Sequence, residues 1–527
     1  MIHQSPFPPI TIPDISLPRL LLDAARGRED RIAIIEGASG RSITYGEFTS
    51  QVRRVAANLA QRGLLKGDVF AIFLPNSIEY AIALQAVMLL GGIATTVNPT
   101  YTAHELAFQL EDANAVYLLT IPPLLERARE ANRAGLLREI FVVGEADGAT
   151  PFHDLLAESG EPPDVVIDAL QDLAILPYSS GTTGLPKGVM LTHHNLVANI
   201  LQIRAAEPRL DEETRLLAVL PFYHIYGQVV VLYLSLYVGG TIVTMPRFDL
   251  PAFLQVIQNH KVSYANLVPP IILALAKHPL VDQYDLSSLK AVFSGAAPLG
   301  DEVAAACAAR LGCVVKQGYG LTETSPVTHV MPESDGPMNT GSIGVCLPLT
   351  ETRLVDPETG NDLGPNQRGE VWVRGPQVMR GYLNRPDATA AMLDSAGWLR
   401  TGDIGYVDDT GYFYIVDRLK ELIKYKGLQI APAELEAILL THPAVADAAV
   451  IPCPDQEAGE IPKAFVVLKG EATAEELQAY VAEKVAPYKK IRRLEFCAQI
   501  PKSASGKILR RVLVEQERAA AAGGPST

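Results

Sequence analysis

YSSGTTGLPKG, residues 178–188, decides the reading of this chain. It gathers two hydroxyl pairs (Ser179 and Ser180, Thr182 and Thr183), the glycines Gly181, Gly184 and Gly188, and Lys187 into one turn. An apolar run over 173–177 leads in. Glycines let a ligand approach the backbone closely, because no side chain intervenes. N–H groups and hydroxyls exposed in such a loop form a concave anion site, and Lys187 adds positive charge. The ligand this suits is a polyphosphate. The common P-loop needs Gly-x4-Gly-Lys-Ser/Thr opening a helix. Here Pro186 precedes Lys187 and Gly188 follows it, so no hydroxyl stands beside the lysine to hold magnesium. The bland alternative is a surface loop built of Gly, Ser and Thr for solubility. Eleven residues in this order favour the binding reading.

At 527 residues the chain exceeds a single core, so two or more domains are expected. Apolar residues make up 48% and charged residues 20%, the balance of a globular protein in water. A net charge of −14 argues against a general nucleic-acid binder. The cysteines Cys307, Cys313, Cys346, Cys453 and Cys497 are odd in number and scattered without a C-x-x-C. Buried reduced thiols fit them better than a disulfide framework or a zinc site. The N-terminal MIHQSPFPPITIPD lacks a basic and then apolar leader, and AAAAGGPST is not a peroxisomal address. A cytoplasmic location is the expectation. Residues 225–246 carry no charge, but Gly239 and Gly240 split them. A buried helix followed by a buried strand is expected there, not a membrane span.

Outward from the loop, strands and helices alternate. Strands are expected over 31–36, 69–74, 92–97, 115–120 and 139–143, with helices between them. Thr44 and Glu47 form a capping box for a helix to about 61, Ser77 caps one to 90, and Thr192 caps one to about 204. Short connections between such elements argue for layered α/β architecture with mainly parallel sheet. A strand over 216–220 ends at PFYH, placing His224 where ligands collect in α/β sheets, although a lone histidine is more often structural. A strand over 291–294 runs into Gly295, Ala296 and Ala297, small residues with room for a flat ligand. A strand over 314–316 delivers QGYGLTE, with an aromatic face at Tyr319, a hydroxyl at Thr322 and a carboxylate at Glu323. From about 341 to 416 short β-rich pieces alternate with Gly, Pro and Asn turns. They contain WLRTGD, whose Asp403 could accept both hydroxyls of a ribose or merely form a turn. The last hundred or so residues have helices and strands of their own, enough for a small separate domain. In them Lys507 is expected either on a turn tip or at the start of a closing helix over 507–515.

YSSGTTGLPKG, QGYGLTE, WLRTGD, VDRLKELIKYKG and IPKSASGKI occur in that order. Together they resemble the signature segments of the adenylate-forming superfamily, which holds acyl-CoA synthetases, luciferases and peptide-synthetase adenylation domains. The resemblance covers essentially the whole chain. PFYHIYG, SGAAPLG and KELIKYKGLQIAPAELE are most similar to the 4-coumarate:CoA ligase group.

The resemblance implies an adenylation domain over 1–417, including a β-rich subdomain over about 341–416, and a small mobile α+β domain over 418–527. It implies an enzyme that uses ATP, Mg²⁺ and coenzyme A to convert a carboxylic acid first to an acyl-adenylate and then to a thioester. By motif, Ser179, Ser180, Gly181, Thr182, Thr183 and Lys187 would hold the β- and γ-phosphates, Thr322 the α-phosphate and Glu323 the metal. Gly295, Ala296, Ala297, Gln317, Gly318 and Tyr319 would frame the adenine, and Asp403 and Arg418 the ribose. Lys507 would bridge the attacking carboxylate and the α-phosphate. His224, Tyr226, Ala296, Gly318 and Gly320 would line the acyl pocket, the two glycines leaving a channel open. Lys424, Gln429 and Lys426 would act around the adenylate and the thioester step, with Arg247, Lys426 and Gly427 at coenzyme A. Arg247 stands where this group tends to have lysine, and the two cations are not interchangeable in geometry. The hinge would lie within 417–420. The expected acid is a hydroxycinnamate such as 4-coumarate. A medium- or long-chain fatty acid on the same scaffold is the alternative, and a non-catalytic adenylate-binding protein a second one. A peptide-synthetase module is set aside because no carrier segment follows residue 515.

Overall fold

The computed structural model describes residues 1–158, 160–179, 186–332, 339–426, 428–455, 457–503 and 506–522. Two large sheets carry most of the chain. The first runs Tyr178–Ser179, Lys187–Thr192, Leu173–Ile175, Ile93–Thr96, Val69–Ile72, Ala115–Thr120, Glu139–Val142, Thr150–Pro151. It is parallel from Leu173–Ile175 onward and antiparallel at the Lys187–Thr192 end. The second runs Val345–Cys346, Val327–Val330, Val314–Gly320, Ala291–Ser294, Tyr264–Leu267, Arg215–Ala218, Thr241–Thr244, Ile32–Glu36, Ser42–Thr44. Its middle is parallel and its two ends are antiparallel. This is the layered α/β arrangement expected from the alternation of elements.

Helices between the sheets are built as their sequences require. Thr44 Oγ1 accepts the Glu47 N–H while Glu47 accepts the Thr44 N–H, opening Tyr45–Gln61. Such a cap contributes about 1 kcal/mol. Ser77 accepts the Tyr80 N–H and opens Ile78–Leu89, which is buried on almost every face. A helix apolar all round belongs between layers. The main core joins it to Leu17–Ala24, Tyr45–Gln61, His193–Ala206 and both sheets. Each buried Leu, Ile or Phe there contributes about 1.5–3 kcal/mol.

A third, antiparallel sheet runs Ile2–Gln4, Glu351–Val355, Gly369–Arg374, Leu399–Val407, Phe413–Arg418. It is the expected β-rich subdomain, with a first strand contributed by the chain's N-terminus. The fourth sheet, Leu428–Ile430, Ile423–Tyr425, Gly459–Leu468, Val445–Asp455, has Arg493–Phe496 parallel to Gly459–Leu468 and a core of its own.

Four local expectations are corrected. The strand expected over 314–316 extends as Val314–Gly320, because Gly318 to Gly320 pair with Val327–Val330. The closing helix is Arg510–Ala522, so Lys507 precedes it on a small hairpin closed by the Lys502–Ile508 bridge. Between Gly227 and Tyr233 the helix is π-wound, becoming α over Leu234–Val238 before the strand Thr241–Thr244. The last strand of the β-rich sheet runs through Arg418, two residues past the end expected at about 416. All five cysteines are free, and burial pushes the Cys307 and Cys346 thiols up to about 12. Among the described residues no helix is long and apolar enough to cross a membrane.

Candidate active site

The second and third sheets meet at an ionic cluster. Tyr319 comes from Val314–Gly320, and Asp403 and Arg418 come from neighbouring strands where they are register partners. The Tyr319 hydroxyl donates to Asp403 Oδ2 at 2.5 Å, and Arg418 Nε lies 3.5 Å from Oδ1. Burial pushes the Asp403 carboxyl above its usual range and the adjacent Arg418 pulls it back. The Tyr319 phenol is pushed up by burial and by Asp403, so it stays a donor.

Lys507 enters the same cluster from the small domain. Ser503 Oγ accepts its N–H at 3.2 Å and its carbonyl accepts the Ser503 N–H at 2.8 Å, fixing the turn. Burial, then Arg418, push its amine down to about 8, against the pull of Glu421 and Asp403. The charge of Lys507 also reaches His224, which burial and that lysine hold down at about 4. His224 is half-buried, but protein surrounds its ring. Its Nδ1 accepts the Tyr226 N–H at 3.3 Å, so the neutral ring carries its proton on Nε2. His224, Asp403, Arg418 and Lys507 are distant in sequence and share one electrostatic neighbourhood.

A second group lies along the strand Lys187–Thr192. Ser179 faces Lys187 across the hairpin. Ser180, Gly181, Thr182 and Thr183 lie outside the described residues. Lys187 Nζ stands 5.0 Å over the Tyr382 ring. The Tyr382 hydroxyl donates to Glu323 Oε1 at 2.7 Å, and Met379 donates its N–H to the Glu323 carbonyl at 2.8 Å. Glu323 is buried, in the short 3₁₀ turn Thr322–Thr324 that follows QGYGL. Sequence reasoning missed Tyr382. Its only signal is an aromatic residue in a Gly-Tyr-Leu-Asn-Arg-Pro turn, with nothing to tie it to Lys187.

Among the described residues no three His, Cys, Asp or Glu side chains gather as a metal site. A lone buried carboxylate suits Mg²⁺, which binds through one or two carboxylates plus substrate phosphates and waters. It does not suit calcium or zinc held by protein alone. Glu323 with a phosphate-side cation nearby therefore fits a metal brought in on the nucleotide.

Gly295 lies against Tyr226, since a Cβ there would come 2.7 Å from the ring. Ala296 has φ +69, a left-handed conformation that a non-glycine residue holds only under constraint from its surroundings. Ala297 is half-buried beside it. Gln317 holds this loop from behind. Its Oε1 accepts the Leu299 N–H at 3.2 Å, and its Nε2 donates to the Leu299 and Thr340 carbonyls. Its side-chain amide is thus used inside the protein. At Gly318 a Cβ would meet only the His329 carbonyl at 3.4 Å. At Gly320 a Cβ would collide with the Pro326 carbonyl. Glycine at 320 therefore answers to close strand pairing.

The remaining expected residues lie elsewhere. Lys424 and Gln429 are register partners on an exposed hairpin. Lys426 is exposed and paired with Glu457 at 2.5 Å, and Gly427 lies outside the described residues. Arg247 is exposed in the loop after Thr241–Thr244. Among the described residues no hydrogen bond or ion pair joins these side chains to Lys507, Asp403 or His224. The structure brings Lys507 to the ionic cluster and leaves the Lys424 hairpin outside it.

Residues 21–383 match the AMP-binding enzyme family, and 434–507 match the AMP-binding enzyme C-terminal domain. The chain is 43% identical over 523 residues to 4-coumarate--CoA ligase 5 of Oryza sativa subsp. japonica, covering 97% of this chain and 96% of that one. Its fold is similar to ATP-bound MatB from Rhodopseudomonas palustris, with TM-score 0.88, 29% identity, and 96% and 100% of the two chains covered. It is also similar to the anthranilate CoA ligase AuaEII in complex with anthranoyl-AMP, with TM-score 0.89, 27% identity, and 97% and 99% covered. The chain belongs to the AMP-binding, adenylate-forming enzyme family and is an ATP-dependent acid–thiol ligase that joins a carboxylic acid to coenzyme A.

Proposed function

We propose that this chain ligates coenzyme A to a hydroxycinnamate such as 4-coumarate. The observation that carries the choice of acid is an aromatic wall beside the ionic cluster. Tyr226 lies against Gly295, its hydroxyl 3.4 Å from the Phe293 carbonyl, and Phe293 stacks on Tyr264 at 6.1 Å and 25°. A flat ring packs on such faces better than an alkyl chain does. The identity with 4-coumarate--CoA ligases supports the same choice.

The reaction has two displacements. A carboxylate oxygen attacks the α-phosphorus of ATP, the bond to the β-phosphate oxygen breaks, and pyrophosphate leaves. The thiol sulfur of coenzyme A then attacks the acyl carbon and AMP leaves, the thiol proton passing to solvent. In the first step an anion attacks an anion, so catalysis is chiefly positioning and charge stabilisation. Lys507 would hold the attacking carboxylate and the α-phosphate together. Asp403 and Arg418 would hold the ribose, with Tyr319 donating to Asp403 and presenting its ring to adenine beside Gly295, Ala296, Ala297 and Gly318. Thr322 would contact the α-phosphate. Lys187 and Ser179, with Ser180 and the loop to Thr183, would take the β- and γ-phosphates. Mg²⁺, held by Glu323, supplies neutralisation of phosphate charge. Neutral His224 would close the acyl pocket with Tyr226. Lys424, Gln429, Lys426, Gly427 and Arg247 would serve the adenylate and coenzyme A once the domain over 418–527 has turned on the one over 1–417, at a hinge within 417–420.

AMP release with Mg-ATP and coenzyme A over 4-coumarate, caffeate, benzoate, octanoate and palmitate tests the proposal. Preference for the two hydroxycinnamates is expected. Preference for octanoate or palmitate would discard the aryl reading of the pocket and keep the chemistry.

A further inference from the structure

Lys187 and Glu323 sit on different segments of the chain, and one side chain touches both. Tyr382 forms a two-residue strand with Gly381 that pairs with the strand carrying Lys187, Val189 being its register partner. This pairing sets its ring 5.0 Å beneath the Lys187 ammonium. Its hydroxyl donates to Glu323 Oε1 at 2.7 Å. The backbone is pinned on both sides: Thr389 Oγ1 accepts the Tyr382 N–H at 2.9 Å, and Leu383 donates its N–H to the Gly188 carbonyl at 2.9 Å. Little freedom remains for the ring except to stay between the cation and the carboxylate.

We propose that Tyr382 is a positioning residue that couples the phosphate-side lysine to the metal-side carboxylate, so that nucleotide phosphates and their Mg²⁺ are received in fixed register. The inference rests on the roles given to Lys187 and Glu323 under the proposed function. The two halves of the side chain act on different partners. The ring face attracts the ammonium through its quadrupole and holds it near the edge of the phosphate loop. The hydroxyl occupies one oxygen of Glu323 and orients the carboxylate. Tyr382→Phe removes only the second action, and Tyr382→Leu removes both.

Equilibrium binding of ATP to the full chain, in EDTA and across a Mg²⁺ titration, separates these actions without any turnover. In EDTA, Tyr382→Phe is expected to bind ATP like the wild type, while Tyr382→Leu binds about threefold to tenfold more weakly. With Mg²⁺, Tyr382→Phe is expected to need about tenfold more metal to reach half of the Mg²⁺-dependent gain in affinity. Tyr382→Phe should melt cooperatively near the wild-type temperature, which shows that the chain is folded. A Tyr382→Phe variant with the wild-type Mg²⁺ dependence overturns the coupling, as do Phe and Leu variants that are indistinguishable in EDTA. A wild-type chain that binds no ATP under either condition would sink the adenylation roles themselves and the coupling with them.

Discussion

Lys507 is the residue to which the proposed mechanism assigns the first half-reaction. Burial, then the charge of Arg418, holds its amine down at about 8, and its own charge reaches His224. The charged form prevails below that pH and is lost as pH rises through it. Adenylation that needs the ammonium should therefore decline above about pH 8, and pyrophosphate exchange measured between pH 6.5 and 9.5 should show that limb. Lys507→Ala should slow exchange by about a hundredfold or more, the effect of deleting one transition-state donor, and should flatten the limb. Thioester formation from supplied acyl-adenylate should persist in the variant. Equal loss in both half-reactions would remove Lys507 from its assigned step. The lysine was legible in the sequence because IPKSASGKI is a contiguous motif. The bonds of the Gln317 amide to Leu299 and Thr340 were not legible, because those partners are not adjacent to QGYGLTE and a motif records neighbours in sequence only.

The helix His193–Ala206 shows the same limit for a whole element. Its start was legible: Thr192 accepts the Asn195 N–H and Asn195 Oδ1 accepts the Thr192 N–H. What the helix does was not. Asn195, Asn199 and Gln202 recur at helical spacing, and all three are buried. Asn195 Nδ2 donates to the Pro376 and Val378 carbonyls, and Gln202 Nε2 to the Pro348 carbonyl and Gln377. Asn199 donates to the Val327 carbonyl at 2.7 Å and accepts the Val327 N–H at 3.0 Å. This amide stripe fixes the strand Val327–Val330, which pairs with the glycines expected to line the acyl pocket, and the segment whose Met379 N–H reaches the Glu323 carbonyl. Asn199→Leu would leave both backbone groups of Val327 without partners, at a cost of about 1–3 kcal/mol each. The variant should melt at lower temperature and show a raised KM for the acid with a smaller change for ATP. Equal shifts in the two KM values, or an unchanged melting temperature, would show that the stripe does not set the acyl wall.

At the scale of the whole molecule, Arg510 ties together the segments of the small domain, which would make the proposed hinge and the lysine turn move as one body. Arg510 pairs with Glu421 at 2.6 Å and Glu436 at 2.7 Å, and Nε donates to the Val450 carbonyl. Asp417, at the end of the β-rich sheet, accepts the Ala433 N–H. Burial pushes the Glu436 carboxyl up to about 7 against the pull of Arg510, so the group is bound tightly but not cheaply solvated. None of this was legible, because the pairs join segments that only the folded small domain brings together. The body they form meets the large domain lightly: Lys277 donates to the Leu440 carbonyl, and Gly506 lies against Val268 and Pro270. In this pose Lys507 joins the ionic cluster and the Lys424 hairpin stays outside it, so the thioester role proposed for that hairpin would require the small domain to turn. Gly300 offers a way to forbid it. A Cβ built there lies 3.9 Å from Ala437 Cβ across the interface, within the about 3.5–4.5 Å that disulfides span. Gly300 has φ −68, which cysteine adopts without strain. The oxidised Gly300→Cys, Ala437→Cys variant should form acyl-adenylate and pyrophosphate normally yet transfer no acyl group to coenzyme A, and a reductant should restore transfer. Peptide mapping confirms that the bond formed between these two positions and not with a native thiol. If the bonded variant makes thioester at the wild-type rate, the two half-reactions share one pose, and the Lys424 hairpin has no part in the second.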